Sequence, residues 1–134
     1  MAGYSGAPLA KKLGIGPGCA ILALNAPKEY SAWLGTLPER ARFVRTASGS
    51  CGIVHLFVDS LKVLERDLPK ARKAISNDGA IWVSWYKKSA RIPTDVTEDA
   101  IRAHALRTDL VDIKVCAVND VWSGLKLVVR KHLR

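Results

Sequence analysis

No apolar run in the chain approaches the roughly 18 residues of a membrane span, so no membrane contact is expected. The opening stretch, MAGYSGAPLAKKLGIG, lacks the long apolar core of a secretory signal. These two absences predict a cytoplasmic protein. Cysteine is scarce: Cys19, Cys51 and Cys116 stand far apart, each in or beside an apolar run. None has a Cys or His neighbour at metal-ligand spacing and the acidic residues form no cluster, so no metal centre is expected. Reduced thiols that pack as small apolar side chains are the reading. No Ser-His-Asp or Cys-His order is present that would mark a nucleophilic site, and no catalytic residue is assigned. Acid is in short supply, with 12 Asp and Glu against 21 Lys and Arg and a net charge of +9. That balance favours anionic company. The cations are scattered, however, with no dense tail beyond VVRKHLR, so basicity alone does not designate nucleic acid.

What is present is enough for one core. A chain of 134 residues, 49% hydrophobic, predicts a single domain over 1–134. Ser5 to Gly14 reads as a short helix with Ser5 near its cap and Gly14 as its stop. CAILAL (19–24) and GIVHLFV (52–58) are unbroken apolar runs of strand length, as expected for strands buried on both faces. Between them, Asn25 and Pro27 open a short helix that aligns Tyr30, Trp33, Leu34 and Leu37, and RFVR (42–45) is a weak strand.

Asp59-Ser60 closes the second strand. The next segment puts Leu61, Leu64, Leu68, Ala71 and Ile75 on one helical stripe and Lys62, Arg66, Lys70 and Lys73 on another. Pro69 predicts a break near Asp67-Leu68. NDG (77–79) reads as a turn into a strand over Ala80–Trp85. In IPTDVTEDAIRAHAL, Asp95 with Glu98 resembles a capping box, with Thr94 as the other candidate cap. LVDIKVCAV and SGLKLVVRK alternate as half-buried strands around a turn at Asn119-Asp120.

Strands that alternate with helices imply a mostly parallel sheet between two helical layers, a three-layer α/β sandwich, here closed by a C-terminal antiparallel hairpin. One connection is awkward. The Thr46–Gly52 segment is short for a crossover between parallel strands, which takes about a dozen residues. Either Arg42–Arg45 is not a parallel strand or the crossover is unusually tight. Leu22, Val54, Leu56, Ile81 and Val83 are the expected deep core.

Taken together, YSGAPLAKKLGI, LNAP, VHLFV, DGAIWVSWYKK, PTDVTED and VCAVNDVWSGLKLV resemble a small bacterial family catalogued as a domain of unknown function. The resemblance covers nearly the whole chain. It implies a Rossmann-like fold resembling that of S-adenosylmethionine-dependent methyltransferases, and it carries over no activity and no functional residue.

Methyl transfer on such a fold needs a glycine-rich loop after the first strand, where backbone approaches the cofactor, and an acid after the second to hold ribose hydroxyls. LALNAPKEY has no glycine after its strand, RFVRTASGS has no Asp or Glu, and the glycines of GIGPG precede the first strand. No cofactor is therefore expected. In open α/β sheets ligands bind beyond the carboxyl ends of the strands. Asn25, Asp59, Trp85, Lys87, Lys88, Thr94, Trp122 and Ser123 should project there, aromatic walls and lysines suited to a planar anionic ligand. Alternation sends Trp82 and Tyr86 into one helical layer as structural groups and leaves Trp85 with the two lysines at the rim. His55, between Ile53 and Phe57, reads as a hydrogen-bonded core histidine, or as the floor of that pocket.

The leading expectation is thus a non-catalytic methyltransferase-like domain that binds a protein partner or a small anion at this edge. The alternatives are a basic nucleic-acid-associated protein with contacts through Lys62, Arg66, Lys70 and Lys73, and an S-adenosylmethionine-dependent methyltransferase.

Overall fold

A computed structural model describes residues 8–46 and 48–134. Along the chain run α1 (Leu9–Leu13), β1 (Ala20–Leu24), α2 (Tyr30–Leu34), β2 (Arg42–Phe43), β3 (Cys51–Phe57), α3 (Leu61–Ala74), β4 (Ile75–Tyr86), α4 (Glu98–Leu106), β5 (Leu110–Ala117) and β6 (Trp122–Val129). Short 3-10 turns follow β4 and β6. The six strands form one sheet in the order β2-β1-β3-β4-β6-β5. The first four are parallel, and the β5–β6 hairpin is antiparallel and joined to β4 through β6. One core, with Leu22, Val54, Leu56, Ile81 and Val83, lies under α3 and α4. The other, with Ile21, Ile53, Phe57 and Trp82, lies under α1 and α2. This is the expected three-layer α/β sandwich, because apolar runs without alternation can only be covered from both sides.

The awkward connection resolves through register. β2 is parallel but only two residues long, and it pairs with Ala20 and Ile21 at the start of β1. The chain leaving it is already near the amino end of the sheet, where β3 begins, so it need not travel back along a full strand. Gly49 fixes this loop by donating its N–H to Lys73 O at 2.7 Å.

Several local expectations need correction. α3 is one continuous helix through Pro69. A proline in a helix interior costs about 3 kcal/mol, but Leu64 and Leu68 are buried beneath it, each stabilising by about 1.5–3 kcal/mol. Pro69 and Glu65, whose carbonyl loses its donor, are both exposed, so that carbonyl is not left buried. NDG is not a turn: it lies inside β4, in a bulged stretch where the register to β3 jumps from Cys51↔Ile75 to Ile53↔Ala80. The cap of α4 is Thr97, whose Oγ1 accepts the Ala100 N–H at 3.1 Å. Asp95 instead caps α3, accepting the Leu61 N–H at 2.8 Å alongside Ser60, which accepts from Val63. Leu37 falls beyond the end of α2. Gly14 stops α1 in the left-handed conformation, as expected, while Ser5 lies outside the described residues.

The bulge depends on Gly79. A Cβ there would lie 2.8 Å from Cys51 O and 2.9 Å from Gly52 O, both rigid backbone atoms of the neighbouring strand. Gly79→Ala should therefore destabilise by about 1–3 kcal/mol. Urea unfolding checks this, and an unchanged midpoint would show that the strands can part there without cost.

Candidate functional site

Strand order reverses between β1 and β3: β2 lies on one side of β1, and β3 and β4 on the other. At such a switch point the connections leaving the two strands diverge and open a crevice. A cleft of ≈ 390 Å³ is found there, lined by Asn25, Pro27, Phe57, Asp59, Val63, Arg66, Tyr86 and Trp122. Its aromatic wall is built by contact: Tyr86 and Trp122 rings are 4.4 Å apart, and Phe57 meets Trp122 edge-on at 4.9 Å.

Asn25 anchors the polar side. It adopts a positive φ of 59° directly after β1. Its carboxamide donates to Phe57 O at 3.2 Å and to Asp67 Oδ2 at 2.8 Å, tying the β1 loop to β3 and to α3. Asp67 is buried and accepts two bonds from Arg66, at 2.9 and 2.8 Å, with Lys70 Nζ 3.4 Å away. The Arg66 guanidinium, aided by Asn25 and Lys70, holds its carboxyl well below the usual carboxylate range against the opposing effect of burial. No local pattern in the sequence singles out Asp67, because its partner Asn25 lies 42 residues away.

The sequence-predicted residues do not form one site. Asn25, Asp59 and Trp122 meet in the switch-point cleft. Trp85, Lys87, Lys88 and Ser123 line a separate cleft of ≈ 640 Å³ with Ser89, Thr97, Glu98 and Asp99. The cause is alternation along β4, which sends Tyr86 to the α1–α2 face and Trp85 to the α3–α4 face. Trp85 is not a rim residue: only 8% of it is exposed, and it packs in the core. The lysine cleft is mixed in sign, since Glu98 and Asp99 share it and both hold Arg102. Thr94 lines neither cleft and donates to Asp59 O at 2.8 Å. The cationic stripe Lys62, Arg66, Lys70 and Lys73 is exposed, but Arg66 and Lys70 are engaged by Asp67.

His55 is fully buried on β3 and lines neither cleft. Tyr30 Oη lies 2.7 Å from its Nδ1 and Ser84 Oγ 2.7 Å from its Nε2, and its ring stacks on Phe57 at 4.3 Å. Burial lowers its pKa from 6.5 to about 3, so it is a neutral structural group. His104 has partners the sequence did not disclose, Ala100 O at 2.9 Å and Glu65 Oε1 at 3.4 Å. The three cysteines are free, and burial pushes their thiols up. Among the described residues no group of three or more His, Cys, Asp or Glu is placed to hold a metal ion, and no helix is long and apolar enough to cross a membrane.

The residues do not fit S-adenosylmethionine. After β1 the chain turns on Asn25, whose side chain occupies the junction between β1, β3 and α3, where a glycine loop would leave backbone open to a ligand. β2 stops level with Ile21, well short of the carboxyl edge, and Val44 and Arg45 follow it in place of an acid.

No family model matches the chain, and no curated protein matches it. Solved structures do. A SAM-dependent methyltransferase from Aquifex aeolicus superposes with a TM-score of 0.65 at 11% identity, covering 90% of this chain and 88% of that one. DhpI, in a complex with SAH, gives 0.58 at 10% identity over 91% and 82%. The B. subtilis M1A22 tRNA methyltransferase TrmK gives 0.56 at 7% identity over 90% and 63%. Likeness at this level of identity concerns the backbone path alone: the chain has the Rossmann-like fold of SAM-dependent methyltransferases.

Proposed function

We propose that this chain is a methyltransferase-like domain that binds a planar, anionic small molecule in the switch-point cleft and transfers no methyl group. The observation that carries the reading is the composition of that cleft. Tyr86 and Trp122 supply an aromatic wall, Asp59 and Asn25 supply polar groups for hydroxyls or amines, and the exposed guanidinium of Arg66 keeps N–H donors beyond the two it gives to Asp67. A ring bearing hydroxyls and a phosphate, as in a nucleotide, meets all three. The volume of ≈ 390 Å³ lies within the range of small-molecule sites, about 300–1,000 Å³. The lack of a glycine loop after β1 and of an acid after β2 argues against S-adenosylmethionine as that ligand.

Thermal shift with adenosine monophosphate, glycerol phosphate and S-adenosylmethionine tests this, since a ligand that binds only the folded state raises Tm by mass action. Adenosine monophosphate should raise Tm by a few degrees, and the other two should not. Arg66→Ala should abolish the shift, whereas the Lys87→Ala, Lys88→Ala pair, on the other cleft, should leave both the shift and the Tm close to wild type. Equal stabilisation by S-adenosylmethionine, or a shift indifferent to Arg66, would sink the reading.

A further inference from the structure

We propose that the outer edge of β5 is a docking site for an acidic, extended segment of a partner protein, which adds to the sheet as a further strand. This inference is independent of the carboxyl-edge cleft. β5 is the last strand of the sheet: β6 pairs with one side of it, and among the described residues no strand pairs with the other. It is eight residues long, whereas the opposite edge, β2, has two. The strand is bulged at Ile113, where its register to β6 shifts between Asp112 and Lys114, and on either side of the bulge it presents backbone donors and acceptors outward, a template that proteins usually shorten or cover.

Two apolar side chains stand open in the middle of this strand. Ile113 and Val115 are 56% and 48% exposed, more than any other large apolar side chain described. Two further exposed leucines belong to the same end of the molecule. Leu106 ends α4, which packs on β5, and Leu133 follows β6, whose Val129 pairs with Leu110.

Charge selects the occupant. The acids beside the strand are already engaged: Asp109 accepts two bonds from Arg72 at 2.8 Å, and Asp112 accepts from Arg102 at 2.9 Å. Asp120 lies beyond the strand, at the hairpin tip. The cations Arg107, Lys114 and Lys131 are exposed and make no ion pair among the described residues. Lys114 also stands directly opposite Lys126, a like-charge pair that costs stability until an anion joins it. A second copy of this chain would bring more positive charge to a protein of net charge +9, so self-pairing is disfavoured. An alternating apolar and acidic strand satisfies the edge amides, covers Ile113 and Val115, and neutralises Lys114. This is strand addition, in which main-chain bonds give affinity and alternate side chains give selectivity.

The test uses the whole protein, labelled with 15N, and two strand-length peptides, one alternating valine with glutamate and the other valine with lysine. The glutamate peptide should shift the amide signals of 111–117 and protect them from exchange, and its affinity should fall about tenfold on raising salt to ~0.3 M. Val115→Lys should abolish the shifts, and Lys114→Glu, an exposed change that spares the fold, should transfer the preference to the lysine peptide. The proposal is overturned if the β5 amides do not respond, if both peptides bind alike, or if the response lies at the carboxyl-edge clefts. It is overturned equally if light scattering shows a dimer that Val115→Lys dissociates, because a second copy is then the occupant.

Discussion

Trp82→Ala should destabilise the protein by about 3–5 kcal/mol, the range for truncating a buried large aromatic. The indole is fully buried on β4, and its Nε1 donates to Leu13 O at 2.9 Å, which fastens α1 to the sheet. The space for it is specific. Across the antiparallel pair Gly124 has no side chain, and a Cβ there would stand 3.2 Å from Trp82 Cε3. Lys126 contributes its ammonium 5.9 Å from the ring centre, a smaller effect. Truncation therefore leaves a cavity and an unbonded carbonyl together. Trp82→Phe retains most of the apolar contact and should show chiefly the lost hydrogen bond, about 1–2 kcal/mol. Urea unfolding with an unchanged m-value measures both. A loss below about 1 kcal/mol for the alanine variant would mean that α1 is not held by this residue.

The second large effect is a loss of stability in mild acid. His55 takes up a proton near pH 6.5 in the unfolded chain but only near 3 in the folded one, because the folded environment offers no water to the charge. Its contribution is complete above about 6.5 and is lost progressively as pH falls towards 3. The slope is about 1.4 kcal/mol per pH unit, so between pH 6.5 and 4.5 the loss is on the order of 2–3 kcal/mol. Asp67, Asp109 and Asp112, whose arginine partners hold their carboxyls below the usual range, lose their contributions only at lower pH, as the unfolded carboxylates take up protons near 4. The window above 4.5 thus isolates the histidine. His55→Gln, which keeps a donor and an acceptor for Tyr30 and Ser84, should flatten the stability profile there. A slope retained in that variant would assign the acid sensitivity to another group.

The position of the candidate site was partly legible. Asn25, Asp59 and Trp122 could be placed at the carboxyl edge because each follows or opens an apolar run of strand length. Arg66 read as part of a solvated cationic stripe, and nothing in its spacing showed that Asp67 beneath it was buried and bound to Asn25. That triangle joins residues from two distant segments, so no local pattern contains it. The same holds for Asp95, which looked like a cap for the helix that follows it and instead caps α3.

The sequence by itself determined the layers. Uninterrupted apolar runs must be buried on both faces, alternation along β4 divides Trp82 and Tyr86 from Trp85, and the final alternating pair must form a hairpin on an otherwise parallel sheet. Those are short-range consequences of strand geometry and burial. Only the tertiary structure decided that β2 pairs low on β1, that Pro69 is carried within an intact helix, that Trp85 is packed in the core and not at the rim, and that β5 is left as an exposed apolar edge. Each of these depends on which segment lies beside which. That choice is set by the total surface buried across the whole chain, and it outweighs the local preference of any single residue.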